Sequence, residues 1–168
     1  MSEKDLSLAQ SVRLAADTEQ KSVDFYRNAA QEASKEPLKR LFNGLADFEQ
    51  LHYDQVIALT LSLQKEGKFL PYEGSSLSIP AQSAIEVSPK AREAVEATKL
   101  SLMDVITAAQ NVETHASKSY SELANQVSDP DGQAMFRQLA KEEQQHLRLL
   151  TDVYWNLNDR GVLEWPGL

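Results

Sequence analysis

The chain has 168 residues, 42% apolar and 25% charged, which is enough apolar material for one packed domain over 1–168 and too much for a disordered chain. With 17 basic side chains against 25 acidic ones, the formal charge of −8 argues against a nucleic-acid binder that neutralises phosphates and against docking on anionic lipid. The absence of cysteine excludes disulfides, thiolate zinc sites, iron–sulfur clusters and cysteine nucleophiles together.

The first 20 residues contain no apolar run of the secretory type, and the most apolar stretch, 56–63, is too short to span a bilayer. A cytoplasmic location is expected. Apolar residues recurring at i, i+3, i+4 and i+7 predict helices almost throughout. The first spans about 5–34, with Leu8, Val12, Ala15, Val23, Tyr26 and Ala30 on one face. Pro37 suits the first turn of a second helix that runs to about Lys65, with Leu41, Phe42, Leu45, Val56 and Leu59 inward. A crossover is expected over 66–100, Gly-, Pro- and Ser-rich to residue 89 and with a short helix near 90–98. Ser101-Leu-Met-Asp104 resembles a capping signature that opens the third helix, which ends near Val127. Asp129-Pro130-Asp131-Gly132 reads as a turn, the fourth helix covers about 133–156, and the remaining tail, 157–168, folds back as a cap. Trp155 and Trp165 are expected to pack that tail, and an exposed one would suit a dimer contact.

Four long helices in a chain this short predict an all-α four-helix bundle. A 28-residue helix is about 42 Å long, and about 13 extended residues cover that distance. The linker between the second and third helices is ample for a full-length crossover.

Sliding the chain by 94 positions superposes its halves without a gap: Glu19 falls on Glu113, Tyr26 on Tyr120, Phe42 on Phe136, Glu49 on Glu143 and His52 on His146. Each half is one helical hairpin. The shared apolar residues need only packing to explain them. The shared charged ones do not fit that account, because each lies inside an apolar stripe: Glu19 between Ala15 and Val23, Glu49 and His52 between Leu45 and Val56, Glu113 between Ala109 and Ala116, Glu143 and His146 between Leu139 and Leu150. Residues three apart share a helix side, so each Glu-x-x-His presents a carboxylate and an imidazole together. Distances from the two turns place all six at one level of the bundle.

Four carboxylates in an apolar interior either take up protons or are neutralised by cations. Two divalent ions balance four Glu, and oxygen with imidazole donors suits iron or manganese. The bland alternative is a buried polar network without metal. His115 points away from Glu113 and reads as surface, as does Glu142 beside Glu143; Lys35, Lys39 and Arg40 read as a solvated helix start.

Glu19…Tyr26, Glu49-Gln-Leu-His52, Glu113…Tyr120 and Glu143-Gln-Gln-His146 together resemble the rubrerythrin-type branch of the ferritin-like di-iron carboxylate superfamily, over about 8–156. The resemblance implies two iron ions per chain, bridged by Glu49 and Glu143. Glu19 with His52 would hold one ion and Glu113 with His146 the other, while the hydroxyls of Tyr26 and Tyr120 would orient the bridging carboxylates. It implies an oxidoreductase active in oxidative stress that reduces hydrogen peroxide or dioxygen, a homodimer without nucleic-acid or membrane partners. Rubrerythrins usually carry a rubredoxin-like domain, which needs cysteines; an external donor such as a rubredoxin-like protein is therefore expected. They also carry an extra Glu three residues after the ligand of the third helix, where this chain has Ala116, with Ser22 as its repeat mate. The remaining set is closer to the simpler ferritin-like site, so a ferroxidase or iron-handling protein and a non-catalytic metal-binding bundle stand as alternatives.

Overall fold

The computed structural model describes residues 8–67, 71, 72, 74, 79–82 and 89–168. Four helices dominate: α1 (Leu8–Glu32), α2 (Glu36–Glu66), α3 (Pro89–Gln126) and α4 (Pro130–Trp155). Residues 5–7, where the first helix was expected to begin, lie outside the described part. Helix α2 begins from extended Lys35, with Pro37 in its first turn, and ends at Gly67, whose φ of 65° lets its N–H reach Leu63 O.

Two boundaries differ from the sequence reading. The short helix near 90–98 and the third helix are one continuous helix, which shortens the crossover to 67–88. No Gly or Pro occurs between 90 and 126 to break it, so the Ser101 signature sits within a helix. Helix α4 starts three residues earlier than expected, because Asp129 accepts the Gly132 N–H at 2.8 Å as a cap and Pro130 occupies the first helical position.

Helices α1 and α2 pair antiparallel, as do α3 and α4. Tyr26 bonds Glu113 while Tyr120 bonds Glu19, so α1 and α3 are antiparallel as well. Helices α2 and α3 therefore point the same way, and the chain between them must travel the length of the bundle. On that route Ile79 passes Gly44, where a Cβ would lie 3.0 Å from the Ile79 side chain. This is the ferritin-like, all-α arrangement with a long crossover.

After α4 the chain makes a π-helical turn, Asn156–Arg160, and the tail folds back onto the crossover. Gln82 N donates to Trp165 O at 3.1 Å, Trp165 Nε1 to Pro80 O at 2.8 Å and Leu168 N to Ile79 O at 3.0 Å. Trp165 is buried. Trp155 is not: it is 55% exposed and does not pack the tail as expected.

The apolar core forms two layers. One gathers Tyr26, Leu41, Phe42, Leu45, Ile106 and Leu150; the other gathers Val12, Val56, Leu59, Tyr120, Phe136 and Leu139. Tyr26 stacks on Phe42 at 6.2 Å and Tyr120 on Phe136 at 6.3 Å, so the repeat in sequence recurs in packing. Among the described residues no helix is long and apolar enough to cross a membrane.

Candidate metal centre

Between the two layers lie the six polar residues that interrupt the apolar stripes. Glu19, Glu49, His52, Glu113, Glu143 and His146 are each at most 1% exposed. Their helices supply one Glu from α1, one from α3, and a Glu-x-x-His from each of α2 and α4.

The Nδ1 of His52 lies 3.1 Å from Glu143, 3.4 Å from Glu49 and 3.6 Å from Glu19. The Nδ1 of His146 lies 3.1 Å from Glu49, 3.1 Å from Glu143 and 3.7 Å from Glu113. Two groups of potential ligands result, Glu19–Glu49–His52–Glu143 and Glu49–Glu113–Glu143–His146, with the ligand atoms of each within 4.8 Å of one another. Glu49 and Glu143 belong to both. The imidazoles stack at 5.7 Å, nearly parallel.

The electrostatics are tense. Burial pushes the Glu19 and Glu113 carboxyls well above their ordinary range, and neighbouring carboxylates add to the push. Burial acts the same way on Glu49 and Glu143, but the imidazoles outweigh it and hold both below that range. Burial also disfavours charged His52 and His146, yet the surrounding carboxylates raise both well above the usual histidine value. Both oxygens of Glu49, Oε2 of Glu113, Oε1 of Glu143 and Nδ1 of His52 are sealed from solvent without a directed hydrogen bond. Hard oxygen donors left unsatisfied around converging imidazole nitrogens fit divalent cations such as iron or manganese.

The tyrosines depart from the expected arrangement. Tyr26 donates to Glu113 and Tyr120 to Glu19, so each hydroxyl reaches a carboxylate belonging to one group, on the opposite hairpin, rather than the shared Glu49 and Glu143. The reason is geometric: two turns along α1 from Glu19, the Tyr26 ring crosses to antiparallel α3. Burial raises both phenols well above their ordinary value, with the facing carboxylate next in effect, so they remain donors.

Glu142 is not the surface residue its position beside Glu143 implies; it is 6% exposed. Its Oε2 accepts from Tyr72 Oη at 2.8 Å and lies 2.8 Å from Nε2 of His52, while Oε1 accepts from Gln138 at 2.8 Å. The His52 contact is an ion-pair approach, since no in-line hydrogen bond forms there. Its spacing carried the signal: Glu142 is three residues beyond Leu139 and four before His146, on the inward stripe of α4. His115 is exposed, as expected, and Ala116 is a buried core residue.

Neither the curated proteins nor the solved structures contain a match to this chain. The rubrerythrin family model matches residues 72–154, the stretch holding Tyr72, Glu113, Tyr120, Glu143 and His146. With the helix order and the repeated hairpins around it, that match identifies residues 72–154 as a rubrerythrin domain, of a ferritin-like di-iron carboxylate family.

Proposed function

We propose that this protein is a di-iron oxidoreductase that reduces hydrogen peroxide or dioxygen with electrons from an external donor. The observation that carries the reading is the pair of four-residue groups sharing Glu49 and Glu143, with buried oxygens left unsatisfied. Glu49 and Glu143, common to both groups, would serve both ions, with Glu19 and His52 completing one set of ligands and Glu113 and His146 the other. A pair of iron ions held there would supply the two electrons of the reduction, in which one H2O2, two electrons and two protons give two waters. The residues hold this chemistry away from bulk water. Tyr26 and Tyr120 fix Glu113 and Glu19 by hydrogen bonds that cross the bundle. No cysteine lies in these 168 residues, so the electrons come from outside them, from a rubredoxin-like donor. We further propose a cytoplasmic location and, on the family resemblance, a homodimer.

The test is reconstitution with two Fe(II) per chain under anaerobic conditions, then peroxide consumption driven by a reduced rubredoxin-type donor. One peroxide consumed per two donor electrons supports the reading; no turnover above free Fe(II) refutes it. Elemental analysis of protein purified without added metal separates iron from manganese. One observation favours a second reading: Ala116 stands buried where the resemblance has a further carboxylate, which leaves the four-Glu, two-His set of a ferroxidase. Uptake of well over two irons per chain, in a large assembly, would establish that reading instead.

A further inference from the structure

The 94-residue repeat fails at one informative place. Glu142 corresponds to Phe48, one residue before each Glu-x-x-His. Each of these side chains meets the histidine of the other hairpin. Glu142 brings a carboxylate to 2.8 Å from Nε2 of His52. Phe48 instead lays its ring T-shaped against His146, with centroids 5.0 Å apart. Among the described residues no carboxylate meets Nε2 of His146. His146 and Phe48 also line a cleft of about 530 Å3 that reaches the tail at Gly167 and Leu168.

Glu142 is itself held firmly. Tyr72 and Gln138 donate to its two oxygens, and Gly74 packs so close that a Cβ there would sit 2.8 Å from Oε1. Tyr72 and Gly74 belong to the crossover, and Gln55 of α2 donates to Gly74 O at 3.3 Å. The crossover is thus tied through one carboxylate to the outer nitrogen of a candidate ligand.

We propose that Glu142 is a positioning residue that makes the two halves of the centre unequal, holding His52 by its outer nitrogen while His146 has an aromatic ring in the equivalent place. With the inner nitrogen on a metal the outer one carries the proton, and a carboxylate 2.8 Å from it attracts that N–H, restrains the ring and strengthens the inner nitrogen as a donor. Phe48 can only pack. The ion at Glu19–His52 is therefore bound more tightly, and the ion at Glu113–His146 is the one that exchanges first. This inference rests on the metal reading above and adds an order of occupancy to it.

Cobalt(II) titration of metal-free protein, followed by visible absorbance and calorimetry, tests it. Wild type should fill in two unequal steps. Glu142→Ala should weaken one step by about 10- to 100-fold and leave the other within about twofold. The weakened step should be the one that His52→Ala removes, and Glu142→Gln, which keeps the shape and an acceptor, should fall between. In the cobalt-loaded protein the Nε2–H of one histidine should exchange slowly with solvent, and Glu142→Gln should speed it; a purely structural role would leave that rate unmoved. Equal weakening of both steps, or of neither, overturns the inference while the metal reading stands. No cobalt uptake by wild type overturns both.

Discussion

Tyr26 on the first hairpin donates its hydroxyl to Glu113 on the second, and Tyr120 returns the contact to Glu19. Each phenol is fully buried and stacked on a phenylalanine, so the ring packs and the hydroxyl restrains a carboxylate. Tyr26→Phe and Tyr120→Phe separate these roles. Each should keep the packing and cost the metal-free protein about 1–3 kcal/mol, the penalty of leaving a buried acceptor without its donor. Urea unfolding at neutral pH checks this, and an unchanged midpoint in both variants would contradict it.

Glu49 and Glu143 belong to both ligand groups, whereas Glu19 and Glu113 belong to one each. Glu19→Ala and Glu113→Ala should each leave about one tightly bound ion per chain where wild type holds about two. Glu49→Ala should strip both. Metal analysis after dialysis against a weak chelator gives the stoichiometry, and retention of one ion by Glu49→Ala would show that it does not bridge.

The pH dependence should change sign with metal. In the metal-free protein Glu19, Glu113, His52 and His146 all have raised pKa values, so near neutrality the folded state binds more protons than the unfolded chain. Stability then falls as pH rises above the unfolded values of about 4.3 for Glu and about 6.5 for His. Glu49 and Glu143, held low, contribute the opposite slope only in acid, where protonating them removes stability. Cations bind the deprotonated groups, so loading releases protons and metal stabilises more at higher pH. Melting curves of metal-free and cobalt-loaded protein over about pH 5.5–8.5 should diverge with rising pH. Parallel or converging curves would contradict this.

Two glycines with positive φ should differ in what replacement costs. Gly67, at φ 65°, has no neighbour within 4 Å of an added Cβ, so Gly67→Ala should cost only the backbone penalty, about 1 kcal/mol. Gly74, at φ 84°, would press its Cβ against Glu142. Gly74→Ala should pay the same backbone penalty and also weaken binding of one cobalt. Equal cobalt affinities in the two variants would break that link.

The six central residues were legible because charge inside an apolar stripe is a contradiction within a single helix, and the repeat states it twice. Glu142 escaped because its neighbour Glu143 drew the same stripe at a different angle. The partners of the tyrosines were not readable either, since reach across antiparallel helices depends on register and packing depth. The join near residue 100 was misread because a capping signature has meaning only where the chain can turn, and Ala97-Thr98-Lys99-Leu100 offers no such place. In the crossover, turn-forming residues announced irregular chain but not its path over Gly44 and Glu142.

Each group of potential ligands draws three residues from one hairpin and a single shared Glu from the other. Bound ions would therefore act as rivets between halves that elsewhere meet through two separate apolar layers. A chain nicked within the crossover should stay assembled while the rivets are in place and come apart more readily once a chelator draws them out.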